Sequence, residues 1–224
     1  MAYIGQAPAN KPVSSSDLED GLITNSKLAQ DIISGETELA TAPADTDELL
    51  ISDAGVLKRI DASLVGGGGI TEADMHRITT DFTGSVQPIT ANWERCDEDT
   101  FAKIGTGMSV SSGIWTFPVT GLYQVVWICT WKLANDVTRH CYSELITTNN
   151  NSSYTERGTG WTHINDESGN SYASSTVSAF VNVSNVSNQK VKLGVNVDNS
   201  STTCMGSSTS NRTYVSFIRL GDSQ

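Results

Sequence analysis

A run of apolar and aromatic residues at 113–131, Gly-Ile-Trp-Thr-Phe-Pro-Val-Thr-Gly-Leu-Tyr-Gln-Val-Val-Trp-Ile-Cys-Thr-Trp, restricts the fold more than any other feature. Trp115, Phe117 and Val119 recur at every second position, the period of a strand with one buried face. Thr120 and Gly121 read as a turn. Beyond it Tyr123, Val125, Trp127, Cys129 and Trp131 share one face, while Leu122, Val126 and Ile128 share the other. A strand apolar on both sides leaves neither in water, because large exposed apolar patches mark contact surfaces. In a two-sheet sandwich one side packs inward. The second needs another cover, either a neighbouring subunit or a loop of the same chain.

From residue 71 onward, short apolar runs alternate with Gly, Asn and Ser turns, the pattern of a β-sandwich or barrel. Strands are predicted over 75–82, within 93–104, and over 139–148, 177–183, 190–197 and 213–220. In the run at 190–197, Val191, Leu193, Val195 and Val197 point inward. The last run is again apolar on both sides, and two such strands in one sandwich favour a subunit interface as the cover. Stretches 147–175 and 200–211 are polar and turn-rich, and both are predicted as loops.

The first 70 residues read differently. Residues 1–15 have no period and two prolines, so they form an extended arm that exposes Tyr3 and Ile4. Asn25 or Ser26 can cap a short helix through Asp31 with Leu28, Ile32 and Ile33 on one side, although a helix this short is marginal alone. Residues 47–60 read as a β-hairpin joined through Asp53-Ala54-Gly55, and residues 61–65 as a further helical turn. Four glycines follow at 66–69. A phosphate loop would end in Lys-Ser/Thr, but Ile70-Thr71-Glu72 come next, so the run is a joint between domains 1–70 and 71–224. The leading part holds four basic and eleven acidic side chains, most of the chain's excess charge.

Several function classes are excluded on chemistry. A formal net charge of -11 argues against nucleic acid, whose phosphates are bound by Lys and Arg. No apolar window reaches membrane-span length, and Met1 is followed by neither a basic region nor an apolar run. We therefore expect no membrane insertion, no secretory leader and reduced thiols. Cys96, Cys129, Cys141 and Cys204 lack zinc-site spacing, and Cys129 could meet Cys141 only if the chain folds back symmetrically between them. Sequons such as those at Asn182, Asn185 and Asn211 reflect an Asn- and Ser-rich composition. His76, His140 and His163 stand far apart. The carboxylates at 97–99 and 166–167 are sequence neighbours that a strand would send to opposite faces, and their spacing matches no calcium loop. No Gly-x-Ser-x-Gly elbow occurs. We expect no catalytic residues, no metal and no cofactor.

Three stretches carry a resemblance: 113–125 (Gly-Ile-Trp-Thr-Phe-Pro-Val-Thr-Gly-Leu-Tyr-Gln-Val), 189–195 (Gln-Lys-Val-Lys-Leu-Gly-Val) and 213–221 (Thr-Tyr-Val-Ser-Phe-Ile-Arg-Leu-Gly). Together they resemble the globular head of complement and its tumour-necrosis-factor-like relatives. Phe117, Gly121, Tyr123 and Phe217 carry the likeness over roughly residues 75–222, and the middle at 132–175 departs from it. The resemblance implies a mainly β, trimeric jelly-roll sandwich. In that family the strand after the Gly-x-Tyr turn and the last strand lie side by side near the threefold axis. It therefore implies a homotrimer interface at Tyr123, Val125, Trp127, Tyr214, Phe217 and Ile218. Segments 2–8, 20–29 and 47–55 resemble the attachment portions of tailed-bacteriophage fibres. That second likeness implies a virion protein made in the bacterial cytoplasm. Tyr3, Ile4, Leu18, Leu22 and Leu28 would hold it to other particle proteins. A tail fibre or tail-tip protein that contacts the host is the first reading, and a head fibre or capsid decoration the second.

For host contact the sequence points to 147–175, where Tyr154, Trp161, His163 and Tyr172 stand among Asn, Ser, Thr and Gly. Flat rings with nearby amides and hydroxyls suit a host cell-surface polysaccharide or protein. The competing role for each ring is to anchor the loop or to pack between subunits.

Overall fold

The computed structural model describes residue 14, residues 39–41, 43–44 and 46–65, and residues 69–224. The helix expected after Asn25 and the attachment residues Tyr3, Ile4, Leu18, Leu22 and Leu28 lie outside them. The chain divides into two units, Met1–Gly66 and Gly67–Gln224.

In the first unit, β1 (Glu48–Asp53) pairs antiparallel with β2 (Val56–Asp61). Ala54 (φ 50°) and Gly55 (φ 84°) both take the left-handed conformation that a two-residue hairpin turn requires. This is the hairpin the sequence predicts. Its register puts Leu49, Ile51, Val56 and Ile60 on one face. Lys58–Asp53 (2.5 Å) and Arg59–Glu48 (2.7 Å) ion pairs cross the two strands. A 3-10 turn at Ala62–Leu64 follows, where a helical turn is predicted.

The second unit holds twelve strands: β3 (Ala73–Ile78), β4 (Phe82–Thr83), β5 (Trp93–Arg95), β6 (Ser109–Ser111), β7 (Ile114–Thr116), β8 (Gly121–Ala134), β9 (Thr138–Thr148), β10 (Thr155–Ile164), β11 (Asn170–Val183), β12 (Lys190–Val197), β13 (Thr203–Cys204) and β14 (Tyr214–Gly221). They form two sheets. A five-stranded sheet runs β10-β9-β12-β7-β6, and a seven-stranded one runs β4-β13-β8-β14-β3-β5, with β11 along the other side of β8. The β8–β11 pair is the longest, in unbroken register from Gly121↔Val183 to Ala134↔Asn170.

The strands on either side of Thr120-Gly121 belong to different sheets, so the turn expected there is a corner of the sandwich. Pro118, which has no N–H to donate, follows the end of β7 and begins the crossing. One expectation is corrected: the polar stretch 147–175 is not a loop, because it contains all of β10 and the start of β11. Its glycines are structural. A Cβ on Gly160 would lie 2.0 Å from the Thr176 carbonyl oxygen, so only glycine lets β10 pass this close to β11.

The core lies between the sheets, where Trp115, Phe117, Tyr123, Val125, Trp127, Trp131, Leu145, Leu193, Val215 and Phe217 are all buried. Their rings interlock at Trp115–Phe217 (5.1 Å) and Phe117–Tyr123 (4.7 Å). Trp127 Nε1 donates across the sandwich to the Gly194 carbonyl (3.1 Å), and Trp131 Nε1 donates to Ser175 Oγ (2.9 Å), so two large indoles enter without unpaired donors. As predicted, Val191, Leu193, Val195 and Val197 point inward. All four cysteines are free and buried, so Cys129 and Cys141 are unpaired.

One edge of the seven-stranded sheet is tied down by buried charge. Asp74 accepts hydrogen bonds from Arg95 Nε (3.1 Å) and the Met108 amide (2.7 Å), with His76 Nε2 at 3.1 Å. Glu72 accepts from the Thr106 and Gly107 amides (3.1 and 2.9 Å). Burial pushes the Asp74 carboxyl up, but His76, Arg95 and the Met108 amide outweigh it and hold the group below its ordinary value.

Candidate functional site

Two outward faces follow from the alternation of side chains along the strands. On β9, Cys141, Ser143 and Leu145 are buried towards the core, which turns His140, Tyr142 and Glu144 outward. The register then places Trp161 of β10 and Asn196 of β12 on either side of Tyr142, and Thr159 and Gly194 on either side of Glu144. Trp161 stacks on Tyr142, with ring centroids 4.0 Å apart and planes inclined by 28°. His140 meets the indole edge-on at 5.6 Å. Trp161 Nε1 donates to Thr159 Oγ1 (2.9 Å), which fixes the ring in its plane, yet the residue stays 61% exposed. Glu144, two residues along β9 from Tyr142, is buried beside Gly194 and accepts from Gln87 Nε2 (2.5 Å). Burial drives its carboxyl above the ordinary value and the nearby Glu156 adds to that, while Gln87 and Tyr142 hold it back.

The four ring residues singled out in the sequence do not come together. Trp161 belongs to the ledge. Tyr154 is half-buried with Lys192 Nζ 3.5 Å over its ring, and its hydroxyl donates to Asn151 Oδ1 (2.7 Å), so it anchors the β9–β10 turn. His163 and Tyr172 line an open hollow of about 380 Å³ at the β10–β11 connection with Asn165, Glu167 and Asn170. Tyr172 pairs in register with Lys132, on the outward side of the other sheet. Sequence reading missed Tyr142 and His140 as partners of Trp161. The signal was present: His140, Tyr142 and Glu144 stand at alternate positions of a strand that the sequence does predict.

The outward side of the seven-stranded sheet carries Leu122, Val126 and Ile128 from β8, Tyr214 and Ile218 from β14, and Phe180 from β11. Phe180 is 68% exposed and the other five are half-buried. The expected interface set is corrected accordingly. Tyr123, Val125, Trp127 and Phe217 are sealed in the core, and only Tyr214 and Ile218 face outward.

This architecture has solved counterparts. The chain is similar to the structure of Eiger TNF from S. frugiperda, at 12% identity over 70% of this chain and 96% of that one, with a TM-score of 0.50. It is also similar to murine APRIL at pH 8.5, at 13% identity over 66% of this chain and 98% of that one, with a TM-score of 0.47. The head is a tumour-necrosis-factor-like jelly roll. No family model and no curated protein matches the sequence. The likeness is therefore one of fold, and function has to be argued from the two faces of the head. Among the described residues no group of three or more His, Cys, Asp or Glu is placed to hold a metal ion.

Proposed function

We propose that the chain is a subunit of a homotrimeric bacteriophage appendage whose head contacts the host surface. The observation that carries this reading is the opposition of two chemically different outward faces on one rigid sandwich. A face that groups the apolar Leu122, Val126, Ile128, Phe180, Tyr214 and Ile218 around Gln124, Ser178 and Ser216 suits self-association, since burying such side chains yields roughly 25 cal/mol per Å². The opposite face, with its fixed and exposed Trp161, suits recognition. Three copies on one appendage would let weak individual contacts add into firm attachment. The fibre-like segments at 2–8, 20–29 and 47–55 support placing the protein on a virion, held through residues 1–70. No catalytic step is assigned to it.

A capsid-decoration role is the second reading. It is favoured by Tyr154, whose ring is already occupied by Lys192 and is not free to meet a ligand. Gold-labelled antibody to the head, applied to whole virions, separates the two. Label at the tail is the expected result, and label over the capsid would move the decoration reading ahead. Light scattering on the full chain tests assembly, and a monomer mass would overturn the trimer.

A further inference from the structure

Among the described residues, four of the five tryptophans line or pack against the core, and Trp161 alone stands mostly in water. Leaving so large an apolar ring exposed forgoes the stabilisation of burying it. Fixing its orientation as well removes rotamer freedom. Both costs are accepted here: Tyr142 backs the indole, His140 abuts it and Thr159 holds its N–H. The result is a flat apolar surface that does not have to be ordered when a ligand arrives.

The surroundings narrow the choice of ligand. Asn196 flanks Tyr142 on β12 and is half-buried, with its side-chain amide on the outward side. The cations of β9 and β12 are engaged elsewhere. Arg139 forms a two-pronged pair with Asp198 (2.8 Å for both bonds), Lys192 sits over Tyr154, and Lys190 donates to Thr116 Oγ1 (3.0 Å). With those cations taken, and with Arg157 of β10 set beside Thr147, Thr148 and Asn149 around a hollow that Trp161 does not line, an anionic ligand finds little at the indole to neutralise its charge. A pyranose ring meets the remaining requirements. It offers a flat C–H face to the indole and a rim of hydroxyls to an amide that can both donate and accept.

We infer that Trp161, backed by Tyr142 and His140 and flanked by Asn196, is a subsite for a neutral sugar residue of a surface polysaccharide. The assignment deepens the host-contact reading and rests on it. The test is binding of the full chain to an array of neutral hexose and N-acetylhexosamine oligosaccharides, alongside adhesion to cells that the virion infects. Trp161→Ala is expected to weaken oligosaccharide binding by about tenfold or more, as loss of an aromatic contact worth about 1.4 kcal/mol would. Trp161→Phe should recover part of that loss and Asn196→Ala should show a smaller one, each with unchanged mass and melting temperature. No binding anywhere on the array, or equal binding by wild type and Trp161→Ala, overturns the subsite. Cell adhesion that persists in Trp161→Ala with a silent array would discard the sugar subsite and leave host contact standing. Absence of adhesion by the wild-type chain would discard the host-contact reading itself.

Discussion

The two outward faces of the head are built by the same alternation but are finished differently. On the seven-stranded sheet, outward positions of β8 and β14 carry Leu122, Val126, Ile128, Tyr214 and Ile218, with Phe180 on the neighbouring β11. On the five-stranded sheet the equivalent positions carry His140, Tyr142, Glu144, Trp161 and Asn196, and a hydrogen bond fixes the exposed indole. The first face groups six apolar side chains, with Gln124, Thr176, Ser178 and Ser216 among them. The second is mixed and locally rigid. A surface that a protein buries against copies of itself needs area, whereas one that recognises a small polar ligand needs fixed geometry. The difference argues that the faces have different tasks.

The largest effect should come from removing what both faces share. Trp127 fills the core and its N–H reaches Gly194 on the opposite sheet. Trp127→Ala is expected to cost about 3–5 kcal/mol in chemical unfolding and to lose both faces together. A cost below about 1 kcal/mol would mean that the sheets hold independently of this contact.

Next comes a matched pair of charges. Val126→Asp puts a carboxylate on the apolar face, and Asn196→Asp puts one on the other. An uncompensated charge in a dry interface is strongly destabilising, so Val126→Asp should shift the full chain from trimer to monomer mass. Asn196→Asp should leave the mass unchanged. If both variants stay trimeric, the apolar face is covered by something other than a copy of this chain.

How much of this contrast could be read beforehand depends on where the information lies. The hairpin turn at Ala54-Gly55, the inward set of β12 and the two-sided strands β8 and β14 are legible because alternation and turn chemistry are local. Which side of β8 faces the core is not, since both sides are apolar. The structure settles it by burying the side with Tyr123, Trp127 and Trp131, the larger rings. β10 is illegible for another reason. Thr155–Ile164 is an edge strand with glycines at 158 and 160, and its lack of bulk is dictated by β11, where the Thr176 backbone crowds Gly160 and the Val177 side chain crowds Gly158. The Trp161–Tyr142 stack depends on the β9–β10 register, which is set by pairing and by shifts near Glu156 and Thr162 that carry no sequence motif. Reading 147–175 as a loop found Trp161 but could not find what it leans on.

A third test separates the edge that holds the apolar sheet from the ledge. Asp74 accepts from Arg95, the Met108 amide and its own neighbour's amide, so Asp74→Asn should cost about 1.5–3 kcal/mol, the range for hydrogen bonds to a charged group. Its carboxyl sits below its ordinary value in the folded protein. The stability it supplies is therefore complete above that value and is lost as the pH falls through the folded pKa. Unfolding measured across acid pH should show wild type losing stability there, with Asp74→Asn losing less.

The smallest effect should run the other way, and it concerns the ledge. Glu144 lies buried next to Gly194 and Gln87, and burial raises its carboxyl above its ordinary value. A carboxyl raised on folding favours the protonated form in the native state. Its contribution is therefore fully present below the unfolded pKa and is lost as the pH rises through the folded one. Above its folded pKa the ionised Glu144 is thus a liability to the fold, although Gln87 offsets part of it through its hydrogen bond. Glu144→Gln keeps an acceptor for Gln87 and removes the charge. Its melting temperature should exceed that of wild type above the folded pKa of Glu144, and the gap should close as the pH falls and wild type becomes protonated. If the variant instead melts lower above that pKa, the carboxylate is stabilising where it sits. The ledge would then depend on its charge, and the contrast between a rigid recognition face and an apolar assembly face would have to include a fixed negative charge in the recognition geometry.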